Sequence, residues 1–259
     1  MEFIGQVWQR AWARTPVPGP EIVLLLGAVA LAAVLVAWPL VRIVTTVCHE
    51  AGHAVVATLV GRRLRGIRVH SDTSGLTVSS GRPSGPGMVA TLFAGYPAPA
   101  AVGLGAAWLA GAGYAVALLV LLVVLLALML LKLRNLYGAL VVFLLGCLVA
   151  VVSWFASPTV AAWIAHGIAW LLLLAAPRPV IELLASRPAG SDAAQLAALT
   201  HVPRVLWSLL WLALTLGALV LGASWLLAVG GPSRRSQSDL LRERWSVTAG
   251  GLSAGGRPG

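Results

Sequence analysis

The sequence predicts an all-α polytopic membrane protein of about seven transmembrane helices, with a short β-hairpin after the second span. Three observations carry that prediction. The chain of 259 residues is 59% hydrophobic and only 10% charged, which is a membrane composition. Its apolar residues fall in unbroken blocks rather than at amphipathic spacing, and several blocks reach the roughly 20 residues a helix needs to cross the hydrocarbon. One stretch between blocks is instead polar, arginine-rich and alternating in hydrophobicity, as strands are.

At the start of the chain, Phe3, Ile4, Val7, Trp8, Ala11 and Trp12 recur at helical spacing, with Gln6, Gln9, Arg10 and Arg14 opposite. This predicts an interfacial amphipathic segment over residues 1–20, ended by Pro16, Pro18 and Pro20. The prolines and tryptophans also interrupt the region where a cleaved signal peptide would keep its apolar core. Residues 22–40 make a first span and 41–60 a second. The segment GRRLRGIRVHSDTSGLTVSSGRPSGPG follows, in which Ile67, Val69, Leu76 and Val78 alternate about the turn-like run SDTSG, so a hairpin is expected at about 64–80. Apolar blocks return at about 88–110, 114–131, 136–156 and 159–176, and a polar connection over 177–204 leads to a last span at about 205–229. The transmembrane domain therefore runs over 21–229, and residues 230–259, rich in Gly, Ser and Arg, make a disordered basic tail.

The net charge is +10, with 17 arginines and a single lysine, Lys132. These cations lie in short loops and in the tail rather than in a separate basic domain, which suits membrane lipids and excludes a nucleic-acid partner. The N-terminal segment and the loops at 62–82, 132–134 and 178–204 fall on one side, which should be cytoplasmic. The tail, with Arg234, Arg235, Arg242, Arg244 and Arg257, falls on the other and breaks the rule. The Arg, Ala, Gly and Val richness points to a GC-rich bacterial genome, hence to a multi-pass protein of the bacterial cytoplasmic membrane. Cys48 and Cys147 lie in apolar segments without a disulfide pattern.

The chemistry concentrates in TVCHEAGHAVVATLV. His49 and His53, four residues apart, project about 40° apart on one helix face and can share a metal. Glu50 lies about 100° round from His49, near enough to take a proton from water at that metal without binding it. With five histidines and five glutamates in the chain, chance gives HExxH in about one such chain in five hundred. An ionisable residue at mid-membrane costs about 2.5–3.5 kcal/mol on insertion scales, a cost that a metal compensates. The plainer alternative is a helix whose polar residues bond to neighbouring helices. Ala51, Gly52 and Ala54 allow close helix approach, and Cys48 belongs to packing.

A catalytic zinc takes a third protein ligand. Val56 and Leu59 occupy the positions where the extended metzincin motif needs glycine and histidine, which excludes that class. His70, Asp72, His166, Glu182, Asp192 and His201 remain, and Asp192 is the expected ligand. It follows Ser191, a plausible N-cap, in the first turn of a short helix in GSDAAQLAALTHVP; the competing role is an ordinary capping acid. His70 and Asp72 read as solvated hairpin residues, His166 as hydrogen-bonded within the bundle, His201 as a helix end and Glu182 as a partner of Arg178 or Arg187. Asn135 either donates to an oxyanion or, preferably, caps the helix that begins at 136. Gly95, Pro97 and Pro99 read as a helix break, which can shape a cavity at membrane depth.

HEAGHAVVATLVGRRLRGIRVHSDTSGLT, then AGYPAP at 94–99 and later SDAAQLA, resemble in kind and order the M50B-like branch of the site-2-protease metallopeptidases, over roughly residues 40–229. The resemblance implies an intramembrane zinc metalloprotease, with Zn2+ held by His49, His53 and Asp192, and Glu50 as general base. It would hydrolyse peptide bonds in or near transmembrane segments, with single-span regulators such as anti-sigma factors as partners. Better-known members carry LDG where this chain has Ser191, Asp192 and Ala193. No loop is long enough for the PDZ domain of some relatives, so selection falls to the spans and to the hairpin, which could hold an unwound substrate as an added strand. Two other readings stand beside it. One is a non-catalytic membrane protein of the same fold, acting as a binding or regulatory module, against which Glu50 speaks. The other is a divalent-cation transporter, against which the lack of ionisable residues in the apolar blocks from 88 to 156 speaks.

Overall fold

The computed structural model describes residues 2–228, so the basic tail expected at 230–259 lies outside the described residues. The amphipathic start forms α1 (Glu2–Trp12). Its aromatic face packs edge-on, Trp8 to Trp12 and Trp12 to Tyr114, while the Arg10 guanidinium lies 5.0 Å over the Trp154 ring and that of Arg14 lies 4.5 Å over Tyr114. Cation–π contacts of this kind suit the interface.

The two expected spans at 22–60 are two helices joined through a sharp bend. Helices α2 (Pro20–Val36) and α3 (Trp38–Leu59) meet at Ala37 with a bend of 100°. Pro39, the second residue of α3, has no N–H and cannot continue the helix before it. The break frees carbonyls at the end of α2, and Arg178 answers one by donating to the Val34 carbonyl while its guanidinium lies 4.3 Å over Trp38.

Strands β1 (Arg63–Val69) and β2 (Gly75–Ser80) pair antiparallel, with Ile67 opposite Thr77 and Val69 opposite Gly75 and an irregularity between Leu64 and Gly66. The hairpin expected at 64–80 is thus present, but only its first strand faces inward as the alternation suggested. Ile67 and Val69 are buried, whereas Leu76 and Val78 are exposed. The register explains this: residues opposite one another share a face, so Thr77 and Gly75 turn inward with Ile67 and Val69. The outer edge of β1 carries a further segment that the pattern did not reveal. Ile67 donates to the Lys132 carbonyl and accepts from Arg134 N, each at 2.9 Å. Asn135 completes the contact, its amide donating to the Val69 carbonyl at 2.6 Å and its carbonyl accepting from Val69 N at 3.2 Å. Its side chain makes no capping bond although it occupies the N-cap position of the following helix.

The helices that follow are α4 (Pro86–Phe93), α5 (Ala98–Gly111), α6 (Ala115–Leu130), α7 (Leu136–Phe155), α8 (Pro158–Ala175), α9 (Pro177–Ser186), α10 (Asp192–Thr200) and α11 (Arg204–Ala228). The polar connection at 177–204 therefore holds two helices. Helices α4 and α5 meet at the AGYP break with a bend of 65°. Among the described residues three helices are long and apolar enough to cross a membrane, or up to five if each bent pair is one span. The expected seven is not confirmed on this measure: α2 and α3 are joined through a sharp bend, and α6, with 16 residues, is short. The main core joins α5 to α8 through Ala106, Ala107, Ala110, Ala162, Ala165 and Ala169. Such small residues let membrane helices approach closely, and Gly222 of α11 is pressed on Leu173, where a Cβ would stand 2.4 Å from Cδ1.

Replacing Asn135 by alanine removes both bonds to Val69 and leaves a half-buried strand end unpaired. The variant should lose about 1–3 kcal/mol, and amide exchange over Ile67–Val69 should accelerate against an unchanged rate in α8.

Candidate metal and hydrolytic site

The site is built on one face of α3. The helix there is amphipathic in an unusual sense, since its polar stripe, with Thr45, Thr46, His49, Glu50 and His53, faces inward rather than to solvent. His53 is buried, and its Nδ1 lies 2.7 Å from the Thr91 carbonyl. A carbonyl only accepts, so Nδ1 carries the proton and the Nε2 lone pair is left for a metal. His53 Nε2 lies 2.9 Å from His49 Nε2.

Asp192 comes to this pair from the other end of the chain. It opens α10, whose N-cap Ser191 accepts from Ala194 N at 3.3 Å. Its Oδ2 stands 3.2 Å from His49 Nε2 and 3.3 Å from His53 Nε2. Four-coordinate zinc with arms of about 2.0–2.1 Å holds its ligand atoms about 3.3 Å apart. The three edges fit one such ion, and among the described residues this is the group of His, Cys, Asp and Glu side chains able to hold one.

Glu50 is buried beside the group but outside it. Thr77 Oγ1 donates to its Oε2 at 2.6 Å. Gly75 gives the carboxylate room, because a Cβ at that residue would stand 2.3 Å from Oε1. The turn of the hairpin is tied back to the same helix by Thr46 Oγ1, which donates to the Thr73 carbonyl at 2.8 Å. Two further backbone approaches frame the motif. Gly52 meets the AGYP break, where a Cβ would stand 2.7 Å from the Ala94 carbonyl oxygen, and Gly95 lies on the imidazoles, where a Cβ would stand 2.5 Å from His53 Nε2. Tyr96 then sets its ring edge-on to His49, with centroids 4.8 Å apart, and stacks on the fully buried Trp211 at 4.5 Å. A cavity of about 160 Å³ opens here, lined among others by Arg42, His49, Glu50, Ser74 and Tyr96.

The other candidates lie apart from this group. Asp72 accepts from Ser74 Oγ at 2.7 Å in the exposed turn, a hydrogen bond that holds its carboxyl below the ordinary carboxylate value, and His70 Nδ1 lies 3.2 Å from the same hydroxyl. His166 is fully buried, with Nδ1 on the Ala162 carbonyl at 2.8 Å. His201 is the left-handed C-cap of α10. Glu182 lies 3.5 Å from Arg178 and 3.7 Å from Arg42, not against Arg187. Asn135 is spent on Val69, so neither the oxyanion role nor the cap describes it. Thr77, Gly75 and Thr91 were not singled out from the sequence, because only the folded register brings them to α3. Gly95 reads from the sequence as part of a helix break, and Tyr96, within AGYPAP, carries no separate signal there.

Fold and site together define a helical membrane protein with a partly buried two-histidine, one-aspartate group suited to a metal. The chain belongs to the Peptidase M50B-like family, whose model matches residues 22–222, within the site-2 proteases. That family is membrane-embedded and its peptidases are generally zinc metallopeptidases, although it includes non-catalytic members. No curated protein and no solved structure matches the chain.

Gly95→Ala should weaken zinc binding at least tenfold, a loss typical of disturbed ligand support, when the protein competes with a chromophoric chelator. Gly167→Ala, at a glycine with open space around it, should leave the affinity unchanged.

Proposed function

We propose that the protein is an intramembrane zinc metalloprotease that hydrolyses peptide bonds in or near transmembrane segments. One observation supports this most. Three ligand atoms converge within 3.3 Å of one another, and a buried acid that is not one of them stands beside them. His49, His53 and Asp192 would hold the ion. Zinc, when bound, supplies a Lewis acid that brings the pKa of water to about 7 and polarises a carbonyl.

The chain's own groups perform the proton work. With Oε2 held by Thr77, Glu50 takes the proton of the attacking water at Oε1 as the water oxygen bonds to the peptide carbon. It returns that proton to the amine nitrogen as the C–N bond breaks. Burial raises the free-energy cost of leaving Glu50 unpaired, which explains why a hydroxyl and a glycine are set against it. The hairpin offers a place for an unwound substrate. Because Ile67 uses its N–H and C=O on the 132–134 segment, Thr77 opposite it forms a non-hydrogen-bonded pair with β1 and turns its own groups to the open edge of β2. A strand added there would run beside Glu50. Single-span regulators of the bacterial cytoplasmic membrane are the partners that fit this reading.

Purified in detergent, the wild type should carry about one zinc per chain, and His49→Ala or Asp192→Ala should release it. Glu50→Gln should keep the zinc yet cleave a membrane-peptide library about 10³-fold more slowly, the scale of a lost general base. A folded wild type without metal, cleaving in the presence of chelator, contradicts the assignment. Zinc retained by Asp192→Ala moves the third ligand elsewhere.

A further inference from the structure

Hydrolysis at this site, the reading on which this inference rests, places negative charge on the oxygen of the attacked carbonyl, and a positioned donor there lowers the barrier most. Few groups around the cavity are able to donate. Glu50 and Asp192 accept, and the His53 Nδ1 proton is on the Thr91 carbonyl. Among the cavity's hydroxyls, Thr45 donates to the Arg42 carbonyl, Thr46 to the Thr73 carbonyl and Ser74 to Asp72. Arg42 lies two turns before His49, about 10 Å along the helix axis, and faces Glu182. Asn135 is bound to Val69.

Tyr96 differs from all of these. Its hydroxyl makes no hydrogen bond to a described residue, although the side chain lines the cavity with His49 and Glu50. Its ring is fixed on both sides, edge-on to His49 at 4.8 Å and stacked on Trp211 at 4.5 Å. Trp211 is itself fixed, since it is fully buried and its Nε1 donates to the Phe93 carbonyl at 3.1 Å. The backbone just before Tyr96 is pressed on the imidazoles at Gly95. Phenylalanine would satisfy both ring contacts without an unpaired hydroxyl. A rigid ring that carries an unspent donor into the cavity of the metal ligands is preorganised for a charge that develops only during reaction.

We propose that Tyr96 is a catalytic residue whose phenol O–H donates a hydrogen bond to the oxygen of the attacked peptide carbonyl, keeping its proton throughout. The test is Tyr96→Phe, which preserves the packing, with Thr73→Val as the comparison, because Thr73 is the other cavity hydroxyl without a hydrogen-bond partner among the described residues. Tyr96→Phe should keep the zinc content, the thermal midpoint and KM, while kcat falls about 10²–10³-fold, as when one oxyanion donor is lost. Affinity for a peptide phosphonamidate, a tetrahedral analogue, should fall by the same factor. Affinity for the intact peptide, compared between Glu50→Gln and the Glu50→Gln/Tyr96→Phe double variant, should not change. Wild-type kcat in Tyr96→Phe, an equal loss of intact-peptide and analogue binding, or a loss shown by Thr73→Val instead overturns the proposal and leaves the hydrolase reading standing. A wild type that neither cleaves peptide nor binds the analogue overturns both.

Discussion

A carboxylate and two imidazoles cannot rest in an apolar bundle unless they answer one another, and that requirement joins positions 49 and 192 of the chain. The mutual contact forces α10 to dock by its first turn, where Asp192 meets the α3 histidines. The same side of α10 makes the docking possible. Ala193 and Leu196, about 100° and 40° round the helix from Asp192, are buried with Leu92, Val180, Leu183 and Trp211, so the helix that delivers this carboxylate is held by apolar packing. Trp211 of that cluster also backs Tyr96. Asp192 and the aromatic wall of the cavity thus share one foundation, and a disturbance of either reaches the imidazoles of His49 and His53.

Irregular backbone gathers around the motif for a related reason. At membrane depth, non-helical chain is tolerated where it is buried in protein or lines a wet cavity. The turn at Thr73 to Gly75 and the AGYP break line the same cavity. Each also brings backbone close to α3. A glycine permits the approach in both, Gly75 against Glu50 and Gly95 against the histidines, while Gly52 clears the way from the α3 side. The polar stripe of α3 therefore meets backbone at Gly75 and Gly95 and one bulky side chain, the Tyr96 ring against His49.

Local pattern made part of this legible. HExxH on a helix, the Ser191-capped start of a short helix and a hairpin after the motif all follow from spacing and capping over a few residues. What pattern could not show is set by contacts between distant segments. The break at Ala37 lies inside a continuous apolar run, so the pattern gives no sign of the 100° bend there. The inward turn of Thr77 depends on the register with β1. Asn135 stands where a cap belongs, and only the docking of 132–134 on β1 reveals that its amide has a better use. Tyr96 carries no signal of its own in the sequence because its neighbours, His49 and Trp211, are remote along the chain.

The same placement separates the competing functions. A transporter needs a file of polar groups from one side to the other, yet α5, α6 and α7 carry no Asp, Glu, Lys, Arg or His, and His166 of α8 is enclosed by apolar core rather than open to a path. Among the described residues the buried carboxylate, Glu50, lines one cavity together with His49. A module that only binds metal is satisfied by His49, His53 and Asp192. It gains nothing from a fourth ionisable group that must be buried, hydrogen-bonded by Thr77 and given space by Gly75. Those arrangements suit the proposed role of a carboxylate that would stay near an ion without binding it and keep one oxygen free for a proton. Hydrolysis has that requirement and metal binding alone does not, which is why the proposal of an enzyme leans on Glu50 rather than on the three-residue group.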